Sequence, residues 1–419
     1  MALQIASVRA VEILDSRGRP TLAVTLTLAD GTNVRAGVPS GASTGTREAV
    51  ELRDGDAARY AGKGVRRAVG NVNGEIADAL RGRSVADLAE VDRLLIDLDG
   101  TDTKSRLGAN AIVGVSMAAA RAFAATAGVP LWHYLTPDGV AARLPVPHFN
   151  VVNGGAHAPN RLDFQEFMIA PIGAPSLAEA VRAGAEVYAA LRRRLADKGF
   201  ATGLGDEGGF APDIDAPEDV LATLVDAITD AGYRAGRDGV AIALDPAASE
   251  FYRDGGYHVA GQTLTTDDMI NRYETIISEF PVWSIEDGLA ESDWDGWTRL
   301  TERLGGRVQL VGDDILVTNP AIVTEAIDRR AGNAALIKVN QIGTVSETLE
   351  TMRICRQAGW AQMVSHRSGE TEDTFIADLA TGTGCGQLKT GAPARGERVA
   401  KYNRLIEIEA DAQLPYRLA

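Results

Sequence analysis

The sequence predicts an α/β protein: a (β/α)8-type barrel over residues 138–419, preceded by a smaller domain of strands followed by helices over residues 1–137. Three observations carry this. After residue 160, short apolar runs alternate with amphipathic helical stretches, as in a parallel sheet covered on both faces. A polar, chemically capable residue follows most of those runs, as expected where strand ends open on one face of a barrel. The first 38 residues instead read as hairpin-linked strands.

In the N-terminal part, IASVRAVEIL and the alternating TLAVTLTL are joined by a turn at DSRGRP, and Asp30-Gly31 marks a second turn. The loop PSGASTG runs from Pro39 to Gly45, and residues 62–127 are Ala-rich and helical. NAIVGVSMAAARAFAATAG is a buried helix closed by Gly128. Proline and glycine at both ends of TPDGVAARLPVP, Thr136 to Pro147, mark the domain junction. Beyond it, Ser176 and Glu179 open a helix that Gly199 ends, with Val181, Val187, Leu191 and Leu195 near one face. A second helix follows Asp215, with Val220, Leu221, Leu224, Val225 and Ile228 inward. Two further helices fit TTDDMINRYETIISEF and SETLETMRICRQAGW. Seven runs read as parallel strands: FQEFMIAP, GVAIALD, VWSIED, VQLVGDD, AALIKVN, AQMVSH and GQLKTG. Seven such units suit a barrel better than an open sheet.

Composition bounds the function. The chain of 419 residues carries a net charge of −15, which argues against a nucleic-acid partner and requires local cations for any anionic substrate. Cys355 and Cys385 stand outside metal or redox spacings and read as buried apolar residues in a reducing compartment. The N-terminus has charges at Arg9, Glu12 and Asp15 and no long apolar run, so neither a leader nor a membrane helix is expected, and the expected location is cytoplasmic.

The chemistry lies at the strand ends. Asp245 ends VAIAL, Glu286 ends VWSI, Asp313 ends VQLVG, Lys338 ends AALI, His366 ends QMVS and Lys389 ends GQL, while Glu166 lies in FQEF. From Glu286 onward they recur about every 25 residues, one βα unit each. Three carboxylates in one mouth repel unless a cation joins them, and hard oxygen donors favour magnesium or manganese. Lys338 beside such a centre can serve as a base if its pKa is lowered, to which a nearby Lys389 would contribute. GLGDEGG contains the G-x-G-x-x-G pattern but lacks the preceding strand and following helix of a dinucleotide site. Its glycines instead let Asp206 and Glu207 face the site on a tight turn. PSGASTG lacks the ending of a P-loop, although its hydroxyls could meet a metal or phosphate. His157, in the glycine-containing loop NGGAHAPN, reads on its own as a solvated loop histidine.

Taken together, DSRG, PSGASTG, ELRDGD, GANAI, QEFMI, GDEGGFAP, LDPAASEF, SIEDGL, LVGDD, KVNQIG, SHRSGETED, KTG and RVAKYN, in this order from about Ala6 to Glu409, resemble the enolase (phosphopyruvate hydratase) family. The resemblance implies a three-stranded antiparallel sheet plus helices in the N-terminal domain and a modified TIM-type barrel of ββαα(βα)6 order. It implies the magnesium-dependent, reversible dehydration of 2-phosphoglycerate to phosphoenolpyruvate, a step of glycolysis and gluconeogenesis. Asp245, Glu286 and Asp313 would hold one Mg2+ and Ser43 a second. Lys338 would remove the C2 proton, and Glu207, with Glu166 beside it, would protonate the departing C3 hydroxyl. His157, Gln165, His366, Arg367, Ser368 and Lys389 would bind the small phosphorylated three-carbon acid. A homodimer or higher homo-oligomer is implied, with no membrane partner. Arg19, Gly396, Ile315-Leu316 after Asp313-Asp314 and the 157–164 loop depart from the family's usual residues. Two alternatives therefore stay open: a carboxyphosphonoenolpyruvate synthase-like relative acting on a phosphonate analogue, and an enolase-fold binding protein without turnover.

Overall fold

Alternation in the first 37 residues becomes a meander. Strand β1 (Leu3–Leu14) pairs antiparallel with β2 (Pro20–Leu28), which pairs with β3 (Asn33–Gly37). The first turn is fixed by Asp15, whose carboxylate accepts the backbone N–H groups of Arg17 and Arg19. The sheet has one strand more than expected: β4 (Ser84–Val85) joins the free edge of β1, giving the order β3-β2-β1-β4. Two residues with one buried valine leave too little pattern in the sequence to announce a strand. This computed structural model describes residues 2–42, 44–416 and 418.

The helix Ala109–Ala127 packs across β2 and β3 and against the barrel helix Val345–Gln357. It is long and apolar enough to cross a membrane by length and composition, yet most of it is buried inside the protein. Gly128, at φ 68, ends it in the left-handed conformation that glycine adopts without a Cβ clash.

A closed eight-stranded barrel follows. Its strands in chain order are β5 (Val146–Asn153), β6 (Glu166–Ala170) and β7 (Ala241–Asp245). A small antiparallel sheet of β8 (Tyr252–Arg253), β9 (Gly256–Val259) and β10 (Gln262–Leu264) interrupts it. The barrel resumes with β11 (Val282–Glu286), β12 (Gln309–Gly312), β13 (Ala334–Ile337), β14 (Ala361–Ser365) and β15 (Gln387–Lys389). Helices Leu177–Asp197 and Pro217–Asp230 follow β6 in succession, so the order is ββαα and then six βα units. Predicted inward residues Val187, Leu191, Leu195, Val220, Leu221, Leu224 and Ile228 are buried, and Val181 and Val225 are half-buried.

Two expectations for the barrel need correcting. The eighth strand, β5, was not among the seven runs. It carries Pro147, His148, Asn150 and Asn153, all buried, which break up the apolar run by which the other strands are read. The run FQEFMIAP forms β6, which is antiparallel to both neighbours. No crossover helix of useful length lies between β5 and β6, and a parallel return needs one. The consequence is functional: β6 runs downward, so its first residue, Glu166, stands level with Asp245 at the last residue of β7.

The two parts are joined by buried polar contacts. On the helix Leu88–Asp99, Asp92 is buried and accepts the Ser346 N–H (2.9 Å) at the start of the barrel helix Val345–Gln357. Burial pushes its carboxyl up to about 6, against the lowering effect of hydrogen bonds from Ser116 and Ser346. A folded-state pKa above the unfolded value means that the native state holds the extra proton. This group's stabilisation is therefore full below about pH 4 and lost as pH rises through about 6. Chemical denaturation of Asp92→Asn and wild type should show a stability difference that changes by on the order of 2–3 kcal/mol, in favour of the variant, between about pH 4 and pH 7. A difference independent of pH would contradict this reading.

Candidate active site

The predicted strand ends converge. Asp245 is the last residue of β7 and Glu286 the last of β11, while Asp313 and Lys338 immediately follow β12 and β13. His366 follows β14, and Lys389 ends β15. Every predicted site residue except Glu286 and Ser43 lines one small cavity, together with Ser365. Glu286 lies beside it, reached through Lys389, and Ser43 lies outside the described residues.

At one side of the cavity, Lys389 Nζ stands 3.0 Å from Glu166 Oε2, 3.1 Å from Asp245 Oδ2 and 2.8 Å from Glu286 Oε1. All four side chains are buried. Burial would lower the Lys389 pKa, but the surrounding carboxylates outweigh it and keep the ammonium charged. One cation serves three acids, and the excess negative charge, added to burial, raises the pKa of Glu286 well above the usual carboxylate range. Glu286 Oε2 is buried without a hydrogen-bond partner. A hard-oxygen set with surplus negative charge and an unsatisfied carboxylate oxygen suits a divalent cation.

Lys338 Nζ donates to Asp313 Oδ2 at 2.5 Å. The expectation that neighbours lower the Lys338 pKa is met only in part. Burial, Arg367 and Lys389 all act downward, but Asp313 outweighs them and the pKa is raised. Asp287, which the strand-end pattern did not single out, accepts the N–H groups of Asp313 (2.8 Å) and Asp314 (3.0 Å) and so shapes this turn. Among the described residues, Asp287, Asp313 and Asp314 form one group whose ligand atoms all lie within 4.8 Å of one another, and His157, Glu166 and Glu207 form another. Asp245, Glu286 and Asp313 do not form such a group; Lys389 Nζ stands on Asp245 and Glu286 and Lys338 Nζ on Asp313.

The second group is an acid pair. Glu207 sits on the turn 205–209, where Gly208 has φ 86. Of the two acids predicted to face the site, Glu207 lines the cavity and Asp206 does not; the Asp206 backbone carbonyl accepts from Arg395 and Arg398. Asn150 Nδ2 donates to Glu207 Oε2 (2.9 Å), and His366 Nε2 lies 3.1 Å from the same oxygen. Arg398 donates to His366 Nδ1 (2.6 Å), so the imidazole proton sits on Nε2 and faces Glu207. Burial pushes His366 down to about 4, which keeps it a neutral donor. His157 is buried rather than solvated, with Nδ1 3.6 Å from Glu166 and 3.8 Å from Glu207. The environment separates the two carboxyls. Burial and Glu207 push Glu166 well up, whereas contacts with His366 and His157, the hydrogen bond from His366 and the charge of Arg398 hold Glu207 well down against burial. Of the two, Glu166 is the carboxyl whose surroundings favour the protonated form.

Arg367 completes the polar lining. Its guanidinium donates to both oxygens of Glu48, at 3.0 Å each, and to Asn340 Oδ1. Ser368 Oγ accepts from Arg17 (3.2 Å), and Gln165 Oε1 is buried without a partner. Sequence reasoning did not single out Glu48, Asn150, Gln341 or Arg398. Each acts through another side chain, and only the position of Gln341, three residues after Lys338, hinted at proximity.

Residues 5–135 match the family description "Enolase, N-terminal domain", and residues 141–414 match "Enolase, C-terminal TIM barrel domain". The chain is 57% identical over 408 residues to "Enolase" of Rubrobacter xylanophilus, covering 97% of this chain and 94% of that protein. It is 56% identical over 414 residues to "Enolase 1" of Methylococcus capsulatus, covering 98% of each. With both halves matched and more than half of all aligned positions identical along nearly its full length, the chain belongs to the enolase family.

Proposed function

We propose that this chain catalyses the reversible dehydration of 2-phosphoglycerate to phosphoenolpyruvate, with Lys338 as base and Glu207 as acid. The observation that carries these roles is one cavity holding a strand-end lysine on one part of its wall and a two-carboxyl acid with a separated proton on another. The reaction takes a proton from C2, beside the substrate carboxylate, and delivers one to the C3 hydroxyl, which leaves as water while the C2–C3 double bond forms. Lys338 Nζ would accept the C2 proton once the charge of Asp313 is engaged elsewhere. Glu207 would deliver to the leaving oxygen a proton drawn from Glu166. Neutral His366, fixed by Arg398, would hold Glu207 in position.

Asp245, Glu286 and Asp313 would hold Mg2+, with Ser43 as ligand to a second ion. Bound there, magnesium would stabilise the negative charge that grows on the substrate carboxylate as the C2 proton departs. Arg367, Ser368, His366, His157, Gln165 and Lys389 would meet the substrate's phosphate and carboxylate ends. The charge in this reading is local: a chain of net −15 presents an anionic substrate with buried Arg367 and Lys389. The division at 137/138, a cytoplasmic location and a homo-oligomeric state belong to the same proposal.

The test is turnover. Purified protein with 2-phosphoglycerate and Mg2+ should form phosphoenolpyruvate, followed by its ultraviolet absorbance, and chelation should abolish the signal. Absence of turnover at saturating Mg2+ would overturn the proposal and favour the phosphonate-analogue or non-catalytic alternative.

A further inference from the structure

A closed ring of hydrogen bonds surrounds Lys338. Its backbone N–H donates to Thr318 Oγ (2.9 Å), and Thr318 Oγ donates to Gln341 Oε1 (2.8 Å). Gln341 Nε2 donates to Asp313 Oδ1 (2.9 Å), and Asp313 Oδ2 accepts from Lys338 Nζ, returning to the start. Gln341 is 1% exposed and Thr318 0%, so these bonds do not compete with water. The amide orientation follows from chemistry: two carboxylates, of Asp313 and Glu48, face the nitrogen, and a hydroxyl donor faces the oxygen. Thr318 and the preceding Val317 hold φ values of 56 and 45, a conformation that β-branched residues adopt only when their surroundings impose it.

Gln341 also reaches the N-terminal domain. Its Nε2 donates to Glu48 Oε1 (3.2 Å), its backbone carbonyl accepts the Ala49 N–H (2.8 Å), and Glu48 in turn receives both bonds from Arg367. One side chain thus touches Asp313, the hydroxyl that holds the Lys338 backbone, and the carboxylate that holds Arg367.

We propose that Gln341, braced by Thr318, is a positioning residue that orients the Asp313 carboxylate for a divalent cation and ties the N-terminal loop around Glu48 to it. The inference rests on the proposed assignment of Asp313 as a cation ligand. A carboxylate held at one oxygen presents the other in a fixed direction, whereas a free one must be ordered on binding. Partners of metal ligands commonly matter by about 10–100-fold in metal affinity.

The experiment is calorimetric titration of the full-length protein with Mg2+ in the absence of substrate, paired with kcat and KM. Gln341→Met keeps the volume and removes both hydrogen-bonding ends. It should weaken Mg2+ binding about 10–100-fold and lower kcat more than it changes KM. Thr318→Val should shift Mg2+ affinity in the same direction, and Thr318→Ser, which keeps the hydroxyl, should restore it. Wild-type Mg2+ affinity in a folded Gln341→Met overturns the proposal. If Gln341→Met does not fold, the Thr318 pair decides alone: equal affinity in the valine and serine variants overturns it, and weaker binding in valine supports it. Because the titration contains no substrate, failure of the wild type to turn over 2-phosphoglycerate would defeat the proposed activity without deciding this inference.

Discussion

Lys338→Ala is expected to lower kcat by on the order of 10²–10⁴-fold, the contribution of a positioned general base. The loss should appear in kcat and kcat/KM alike, because the lysine acts on the C2 proton in the transition state and contributes little to holding the substrate. Steady-state kinetics of the folded variant check this. A variant that loses affinity but keeps kcat would assign Lys338 to binding instead. In the absence of ligands Lys338 is an ammonium on Asp313, so its use as a base depends on what else engages Asp313.

The second large effect is on stability. Lys389→Met leaves Glu166, Asp245 and Glu286 buried without their shared cation. Removing one partner from a buried charge cluster costs about 3–5 kcal/mol, because the remaining charges lose their compensation while staying out of water. Urea denaturation with a chelator present should show that loss. Saturating Mg2+ should narrow the difference between variant and wild type, since a cation on Asp245 and Glu286 restores compensation. Equal stability without metal would mean that the three acids tolerate burial unaided, contrary to the charge surplus inferred here.

The barrel was legible in the sequence because parallel strands between helices are buried on both faces and appear as apolar runs, each ending where chemistry is placed. Asp245, Glu286, Asp313, Lys338, His366 and Lys389 follow from that rule. Glu166 follows from it only by accident: it begins a reversed strand, and the mouth of the barrel receives it because β6 runs the other way. β5 was missed because buried polar residues break its apolar run: Asn150 donates to Glu207, and Asn153 is buried beside apolar neighbours in sequence. Glu207 and His157 sit on loops, where periodicity carries no information, and only the resemblance gave them roles. His157 shows the limit of local reading, since a histidine among small loop residues proves to be buried between two carboxyls. Glu48, Gln341 and Arg398 were illegible for a different reason: their function is a contact with another side chain, which exists only after folding.

The central claim is that Lys338 removes the C2 proton while Glu207 releases the C3 hydroxyl. Exchange of the C2 hydrogen of 2-phosphoglycerate with solvent in D2O, followed by NMR for Glu207→Gln and Lys338→Ala, tests it most directly. Glu207→Gln should exchange the C2 hydrogen without forming phosphoenolpyruvate, and Lys338→Ala should do neither. C2 exchange that survives in Lys338→Ala would contradict it.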